Sequence, residues 1–332
     1  MSEAWLVGDI GGTNARFALA ERTGGRPRLG DIRVLATADF ASLQQAARHY
    51  LEQLAVRPSR AALAVACPVQ GDDIRLTNRA WAFNRLELAE TLGLDELMVL
   101  NDFGAAALGV SALEPSEYTL LHGRPNQPLA DPVSVIGPGT GMGVALLLRD
   151  ARRHWQVVET EGGHISFAAL GSEERRIHDW LAARHGRVSI ERALSGRGLS
   201  EIHAALTEIP ASKRDTPDEQ LRSPADIVSA ALGGEDRTAR AALARFCAIL
   251  GSVAGDAALF HGARTLAIAG GIVPRFIPFL KSSAFRERFL DKGRFAAHLE
   301  SVQVLVVTHA EPGLLGAALS LAGPLPKESP AA

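Results

Sequence analysis

The sequence predicts an α/β fold divided into two domains, and three observations support this. From Leu6 to Cys67 the chain reads as a hairpin, a strand, a helix and a strand, the alternation from which α/β layers are built. A second strand, glycine turn and strand recurs at 133–148, which suggests two related halves. The chain has 332 residues, 47% of them hydrophobic, more core than one domain usually encloses.

The first element is the most informative. In Leu6-Val7-Gly8-Asp9-Ile10-Gly11-Gly12-Thr13-Asn14, apolar residues run into Gly8-Asp9 and a glycine turn follows; Ala15, Phe17 and Leu19 then alternate with their neighbours. Period-two spacing on both sides of the turn predicts a β-hairpin. Glycines at its tip let backbone amides come close to a ligand, and a concave row of amides binds anions. Asp9 stands where the strand ends. A carboxylate there suits a phosphate carrying Mg²⁺, a cation commonly held through one or two carboxylates and waters. A solvated hairpin turn is the plainer reading of the same residues.

A third strand is expected at 32–37 and a helix at 39–55 with Asp39 as its N-cap. Residues 61–67 read as a buried strand ahead of Pro68. Asn84 and Glu87 form a capping-box pattern for a helix at 84–91, which Gly93 closes. The strand at 97–100 runs directly into Asn101-Asp102. Ligands of open α/β sheets bind at the carboxyl ends of strands, although Asp at such a junction also makes a good N-cap.

Residues 113–132 read as loop, with four prolines, and mark the domain boundary. Beyond the strand at 133–136 comes Gly137-Pro138-Gly139-Thr140-Gly141-Met142-Gly143, then another strand at 144–148. A dinucleotide fingerprint needs a helix after its glycines, and a Walker A loop ends in Lys-Ser or Lys-Thr; neither is present. In Glu159-Thr160-Glu161-Gly162-Gly163-His164 an acid and a histidine bracket two glycines, ahead of an expected strand at 165–167. A carboxylate accepting hydroxyls beside an imidazole that donates or accepts suits a polyol, and a surface turn with an incidental histidine is the bland alternative.

Ser172 is the expected cap of a helix to 183, and Ser189 opens a short helix containing Glu191 that Ser195-Gly196-Arg197-Gly198 interrupts. Residues 215–220 read as linker. Ser223-Pro224 and Asp236 open two more helices, the second long, at 237–260. A buried strand at 265–269 ends in a third glycine turn, Gly270-Gly271, suited to flat contact with a nucleoside. A strand at 302–307, a helix at 311–321 and a disordered tail at 324–332 complete the reading.

Composition removes several function classes. A net charge of −2 without a basic block argues against nucleic acid. Cys67 and Cys247 are the only cysteines, so neither a disulfide framework nor a cysteine-rich zinc site is expected. With no signal-like start and no charge-free apolar run, the expected location is the cytoplasm.

Taken together, Leu6 to Phe17, Ala66-Cys67-Pro68, Leu76-Thr77-Asn78, Asn101-Asp102-Phe103, Gly137 to Gly143, Glu161-Gly162-Gly163-His164, Glu191 to Gly198, Ala269 to Phe276 and Pro312 to Gly316 resemble, in order, the bacterial ATP-dependent glucokinases of the hexokinase/actin-like superfamily. The similarity is to the branch that lacks the zinc-binding cysteines of the ROK sugar kinases. It implies an actin-like ATPase (ribonuclease H-like) fold with an interdomain cleft, a small domain of 1–112 plus 303–323 and a large domain of 113–302. By resemblance, Gly8, Asp9, Ile10, Gly11, Gly12 and Thr13 bind ATP phosphates. Gly137, Gly139, Thr140 and Gly141 form the second phosphate turn, and Gly270 and Gly271 face the nucleoside. Pro138 has no N–H and is left out of that set. Asn78, Asn101, Glu161, His164 and Glu191 would hold glucose hydroxyls, Asp102 would be the general base, and Asp9 would hold Mg²⁺ through water. A homodimer is a further implication. A kinase for another hexose shares these features. An actin-like filament or chaperone ATPase shares the glycine turns and has no need of the Asn101-Asp102 and Glu161-His164 set.

Overall fold

The computed structural model describes residues 4–23, 25–76, 81–125, 127–207 and 221–323. Along the chain come β1 (Ala4–Ile10), β2 (Asn14–Thr23), β3 (Arg26–Ala36), α1 (Leu43–Glu52), β4 (Arg60–Val65), β5 (Asp73–Arg75), β6 (Ala82–Asn84), α2 (Arg85–Leu92), β7 (Glu96–Asn101) and α3 (Asp102–Val110). They are followed by β8 (Tyr118–His122), β9 (Val133–Pro138), β10 (Met142–Arg149), β11 (Trp155–Thr160), α4 (Gly171–His185), α5 (Ile190–Ala193), α6 (Gly196–Leu206), α7 (Pro224–Gly233) and α8 (Arg237–His261). The chain closes with β12 (Thr265–Ile268), α9 (Ile277–Ser282), α10 (Phe285–Leu290), α11 (Ala296–Leu299), β13 (Gln303–Val307) and α12 (Pro312–Ala322).

Two compact units result: 1–114 with 147–159 and 309–332, and 115–146 with 160–308. The first unit's main sheet has the order β3-β2-β1-β4-β7. β1 and β2 pair antiparallel, and β1, β4 and β7 run parallel. Alternation along β1 sends Leu6 and Ile10 to one face, where they pack with Leu43, Ala47 and Tyr50 of α1. Trp5 and Val7 go to the other face and meet Leu314, Ala317 and Leu321 of α12. α12 lies unusually close to α3: a Cβ on Gly316 would stand 1.7 Å from the Ala105 carbonyl oxygen, so glycine is what lets the two backbones approach.

The second sheet has the order β11-β10-β9-β12-β13-β8. β9, β12 and β13 are parallel, and β8 adds an antiparallel edge. In strand order each sheet places three chain-consecutive strands (β3-β2-β1 and β11-β10-β9) beside later strands that run parallel to the first of the three (β4 beside β1, β12 beside β9). The second core gathers around α8, whose Leu243, Phe246, Cys247, Leu250 and Ala254 are buried. By length and composition α8 would span a membrane; here most of it is buried inside the protein.

Several sequence expectations are corrected. The helix expected at 39–55 begins at Leu43 with Ser42 as its cap, because Thr37–Asp39 forms a separate turn tied to the first glycine turn. The loop expected at 113–132 contains β8, a half-buried edge strand without alternation to signal it. The strand expected at 165–167 is a single bridge from Ser166 to Ser189; the regular strand is β11, just before the glycines. Ser172 does not cap α4, and the Leu170 amide donates to Glu174 Oε2 at 2.8 Å instead. Ser195 caps α6 rather than interrupting a helix, its Oγ accepting from the Gly198 amide at 3.0 Å. The resemblance implies that 303–323 belongs to the small domain, yet β13 pairs with β12 and β8 in the second sheet. The expected linker at 215–220 and tail at 324–332 lie outside the described residues, as does Asn78.

Candidate active site

In the first unit, the glycine turn between β1 and β2 is held from inside. The Gly11 amide donates to the Asn14 carbonyl at 2.9 Å, which closes the turn and takes that amide out of the set available to a ligand. The fully buried Thr37 donates its hydroxyl to the carbonyls of Gly12 and Thr13 at 2.8 and 3.0 Å. Pinning those two carbonyls fixes the orientation of the turn's peptide planes. Ile10 is a core side chain and can serve only through its backbone. Gly8 sits within the paired part of β1, where a Cβ would stand 2.7 Å from Leu63 Cδ2; packing alone accounts for its size.

Asp9 follows at the strand's end. Arg16 Nη1 lies 3.8 Å from Asp9 Oδ2, and Arg16 Nε lies 3.4 Å from Glu311 Oε2. One guanidinium thus stands between two carboxylates. Burial pushes both acids above the ordinary carboxylate range, and Arg16 opposes that rise.

Asp102 opens α3. The cap of this helix is Asn101, whose Oδ1 accepts from the Phe103 and Gly104 amides at 3.0 Å each. Asn101 Nδ2 donates to the Cys67 carbonyl at 3.3 Å, which leaves one side-chain N–H for a ligand. The capping role that the sequence allowed Asp102 therefore belongs mainly to its neighbour. Asp102 Oδ1 accepts from the Phe103 amide at 2.7 Å. Burial raises the Asp102 pKa to about 6; the Phe103 hydrogen bond lowers it, and the charges of Asp9 and Glu159 raise it further.

In the second unit, Glu161, His164 and Glu191 are assembled around the backbone of Met142. Gly163 packs so tightly on β10 that a Cβ would lie 2.0 Å from the Met142 carbonyl oxygen. On the other side, the Met142 amide donates to Glu191 Oε2 at 2.9 Å. A Cβ on Gly141 would fall 2.5 Å from the same Glu191 oxygen, so this glycine admits the carboxylate. The segment carrying Glu161 and His164 is stitched to the start of α5 by Ile190 N to Ile165 O at 2.9 Å and Phe167 N to Val188 O at 3.1 Å. Arg187 Nη2 adds a bond to the His164 carbonyl at 2.8 Å. Glu161 Oε2 and His164 Nε2 are 3.9 Å apart and both side chains are exposed.

The remaining glycine turns belong to this unit too. The Gly139 amide donates to the Gly141 carbonyl at 2.8 Å, and the Gly139 carbonyl accepts from Gly196 at 2.8 Å. The Gly139 amide is thus spent inside the turn, and the amides of Thr140 and Gly141 remain as candidates for a phosphate. Gly270 adopts φ +95°, and a Cβ there would meet the Pro138 carbonyl oxygen at 2.6 Å, which brings the third turn against the second. Gly271 has open space around it.

A sequence profile of the glucokinase family matches residues 6–323. The chain belongs to the glucokinase family. Glucokinase from Tolumonas auensis is 42% identical over 317 residues, covering 95% of this chain and 96% of that protein. Among solved structures, glucokinase from an Antarctic psychrotroph superposes with a TM-score of 0.83 at 36% identity, covering 97% of this chain and 99% of that one. Glucokinase from Balamuthia mandrillaris, solved in complex with glucose, has a TM-score of 0.80 at 23% identity, covering 96% and 93%, and speaks for the fold alone. The actin-like ATPase fold implied by the motifs is thereby met. The sequence reading missed the residues that hold the glucokinase motifs in place. Thr37, Arg16 and Glu311 act by position, and the backbone of Met142 acts by its two faces; none has a residue type or spacing that would single it out.

Proposed function

We propose that this chain transfers the γ-phosphoryl group of ATP to the 6-hydroxyl of D-glucose, with Asp102 as general base. Family membership over nearly the whole chain supports the reaction. The single observation that supports the base is that Asn101 takes the helix cap, leaving Asp102 with a carboxylate that burial has made more basic. Such a group is ionised at neutral pH and accepts the hydroxyl proton better than an ordinary carboxylate. Glu161, His164, Glu191 and the remaining N–H of Asn101 would hold sugar hydroxyls, with Asn78 carried over from the resemblance. The amides of Gly12 and Thr13, and of Thr140 and Gly141, would hold phosphate oxygens, and Gly270 and Gly271 would face the nucleoside.

Mg²⁺ fits the first unit. Asp9 and Glu311 share one arginine, which leaves net negative charge beside the phosphate turn. No group of three potential ligands is found among the described residues, which suits a cation held by Asp9 through water rather than by a full protein cage. When bound, the cation neutralises phosphate charge; in-line positioning and the amide turns supply the rest. Assembly as a homodimer in the cytoplasm is part of the same proposal and rests on the resemblance.

The test is ADP release with MgATP across glucose, mannose, fructose, N-acetylglucosamine and no sugar, beside Asp102→Asn. Turnover on glucose that falls by about 10²- to 10⁴-fold in the variant is the expected result. Sugar-independent turnover would place the chain with the filament or chaperone ATPases. Near-normal turnover of the variant would remove Asp102 from the base role. Because the base works ionised, kcat/KM should fall by about tenfold per pH unit below a pH of about 6.

A further inference from the structure

Glu311 matches none of the expected site residues, yet its place is specific. It precedes α12, and its side chain makes no capping hydrogen bond to that helix. Instead it reaches Arg16 Nε at 3.4 Å. The groups facing it are Arg16 from β2, Asp9 from β1 through that arginine, and His309, whose ring nitrogen accepts the Glu311 amide at 3.0 Å. Two residues on, Gly313 brings the helix start against Asp9, where a Cβ would lie 3.3 Å from the Asp9 carboxyl carbon. Arg16 is closer to Glu311 than to Asp9, whose nearer oxygen is 3.8 Å away.

We infer that Glu311 is a positioning residue for the metal–nucleotide complex: by engaging Arg16 it keeps the guanidinium from neutralising Asp9, so that Asp9 retains the charge a hydrated cation needs. Without the Glu311 carboxylate, Arg16 is free to close on Asp9. An arginine paired fully with Asp9 would compete with the cation and would favour the bare, metal-free nucleotide. The inference rests on the reading of Asp9 given above, and its test separates the two.

The experiment is calorimetric titration of the full chain with ADP, once with excess Mg²⁺ and once with chelator, on wild type, Glu311→Gln, Glu311→Asp and Asp9→Asn. The readout is the ratio of the two dissociation constants, which needs no turnover. Glu311→Gln is expected to shrink the preference for MgADP by about 3- to 10-fold, as site charge count sets cation affinity. Glu311→Asp keeps the charge and should recover most of the preference. Asp9→Asn should shrink it at least as far. A residue with a merely structural role would weaken both nucleotide forms alike and leave the ratio intact. An intact ratio in Glu311→Gln beside a reduced one in Asp9→Asn overturns the role of Glu311 and leaves Asp9 standing. An intact ratio in both overturns the Asp9 reading and the inference with it.

Discussion

Carboxylates drawn away from bulk water occur in two contrasting settings in this protein, one fully buried and one half-buried. In the second unit Glu174 is fully buried and fully answered: Arg288 reaches Oε1 at 2.7 Å and Oε2 at 3.2 Å, Arg245 reaches Oε1 at 3.2 Å, and the Leu170 amide donates at 2.8 Å. Glu201 is likewise buried and meets Arg184 at 3.2 Å, Arg197 at 2.9 Å and His185 at 2.9 Å. In the first unit, Asp9 and Glu311 divide one arginine, and Asp102 accepts from backbone amides while feeling the charges of Asp9 and Glu159. The first setting spends its cations on holding helices together. The second withholds them, and the missing partner is what a proton, a cation or a hydroxyl can supply. Perturbed acids in short supply of partners are a mark of function, whereas saturated ones are a mark of architecture.

The contrast breaks most sharply at Glu174. Glu174→Gln puts a neutral amide where Arg288 and Arg245 meet a fully buried carboxylate, Arg245 keeping Glu173 as its other partner, and removing one charge of such a set costs about 3–5 kcal/mol. Chemical denaturation should show that loss, while kcat measured well below the melting temperature stays near wild type. A loss of turnover without a loss of stability would erase the distinction drawn here.

Asp102→Asn should behave in the opposite sense, with a smaller effect on stability. The raised pKa means that the folded protein holds this proton more tightly than the unfolded chain, so the ionised carboxylate opposes folding. That penalty is absent near pH 4, grows as pH rises toward about 6 and is fully present at pH 7. A variant that cannot ionise escapes it. It should be more stable than wild type by about 1–3 kcal/mol at pH 7 and equal to it near pH 4, while losing turnover. Denaturation curves at the two pH values measure this, and equal stability at both would mean that Asp102 is no more strained than a surface acid.

These settings were unequally legible in the sequence. The hairpin around Gly11-Gly12, the strand ending at Asn101-Asp102 and the capped helices at Asn84, Ser223 and Asp236 were readable because period, turn glycines and cap residues are local signals. β8 was not, since a half-buried edge strand carries no alternation. β13 was found as a strand, yet its place in the sheet depends on pairing with β12 and β8, residues far away in the chain. The candidate site divides the same way. The motif residues are visible as motifs, but the division of Arg16 between Asp9 and Glu311 joins positions at opposite ends of the chain. The choice of Asn101 over Asp102 as cap rests on the extended backbone of Asn101, whose Oδ1 reaches two amides, and neighbouring residue types do not announce it.

The mildest test concerns the exposed pair of the second unit. Glu161 and His164 are 3.9 Å apart, with side chains 73% and 59% exposed, an arrangement worth little to stability in water. Glu161→Gln should therefore shift the unfolding free energy by less than about 0.5 kcal/mol. If Glu161 instead accepts sugar hydroxyls as a carboxylate, the same change should raise KM for glucose by about 10- to 100-fold, the loss expected for a hydrogen bond to a charged group. Steady-state kinetics beside thermal denaturation separates the two quantities. An unchanged KM would leave Glu161 a surface acid and pass its share of the sugar to His164, Asn101 and Glu191, whose Oε2 is already committed to the Met142 amide and which has one oxygen left to give.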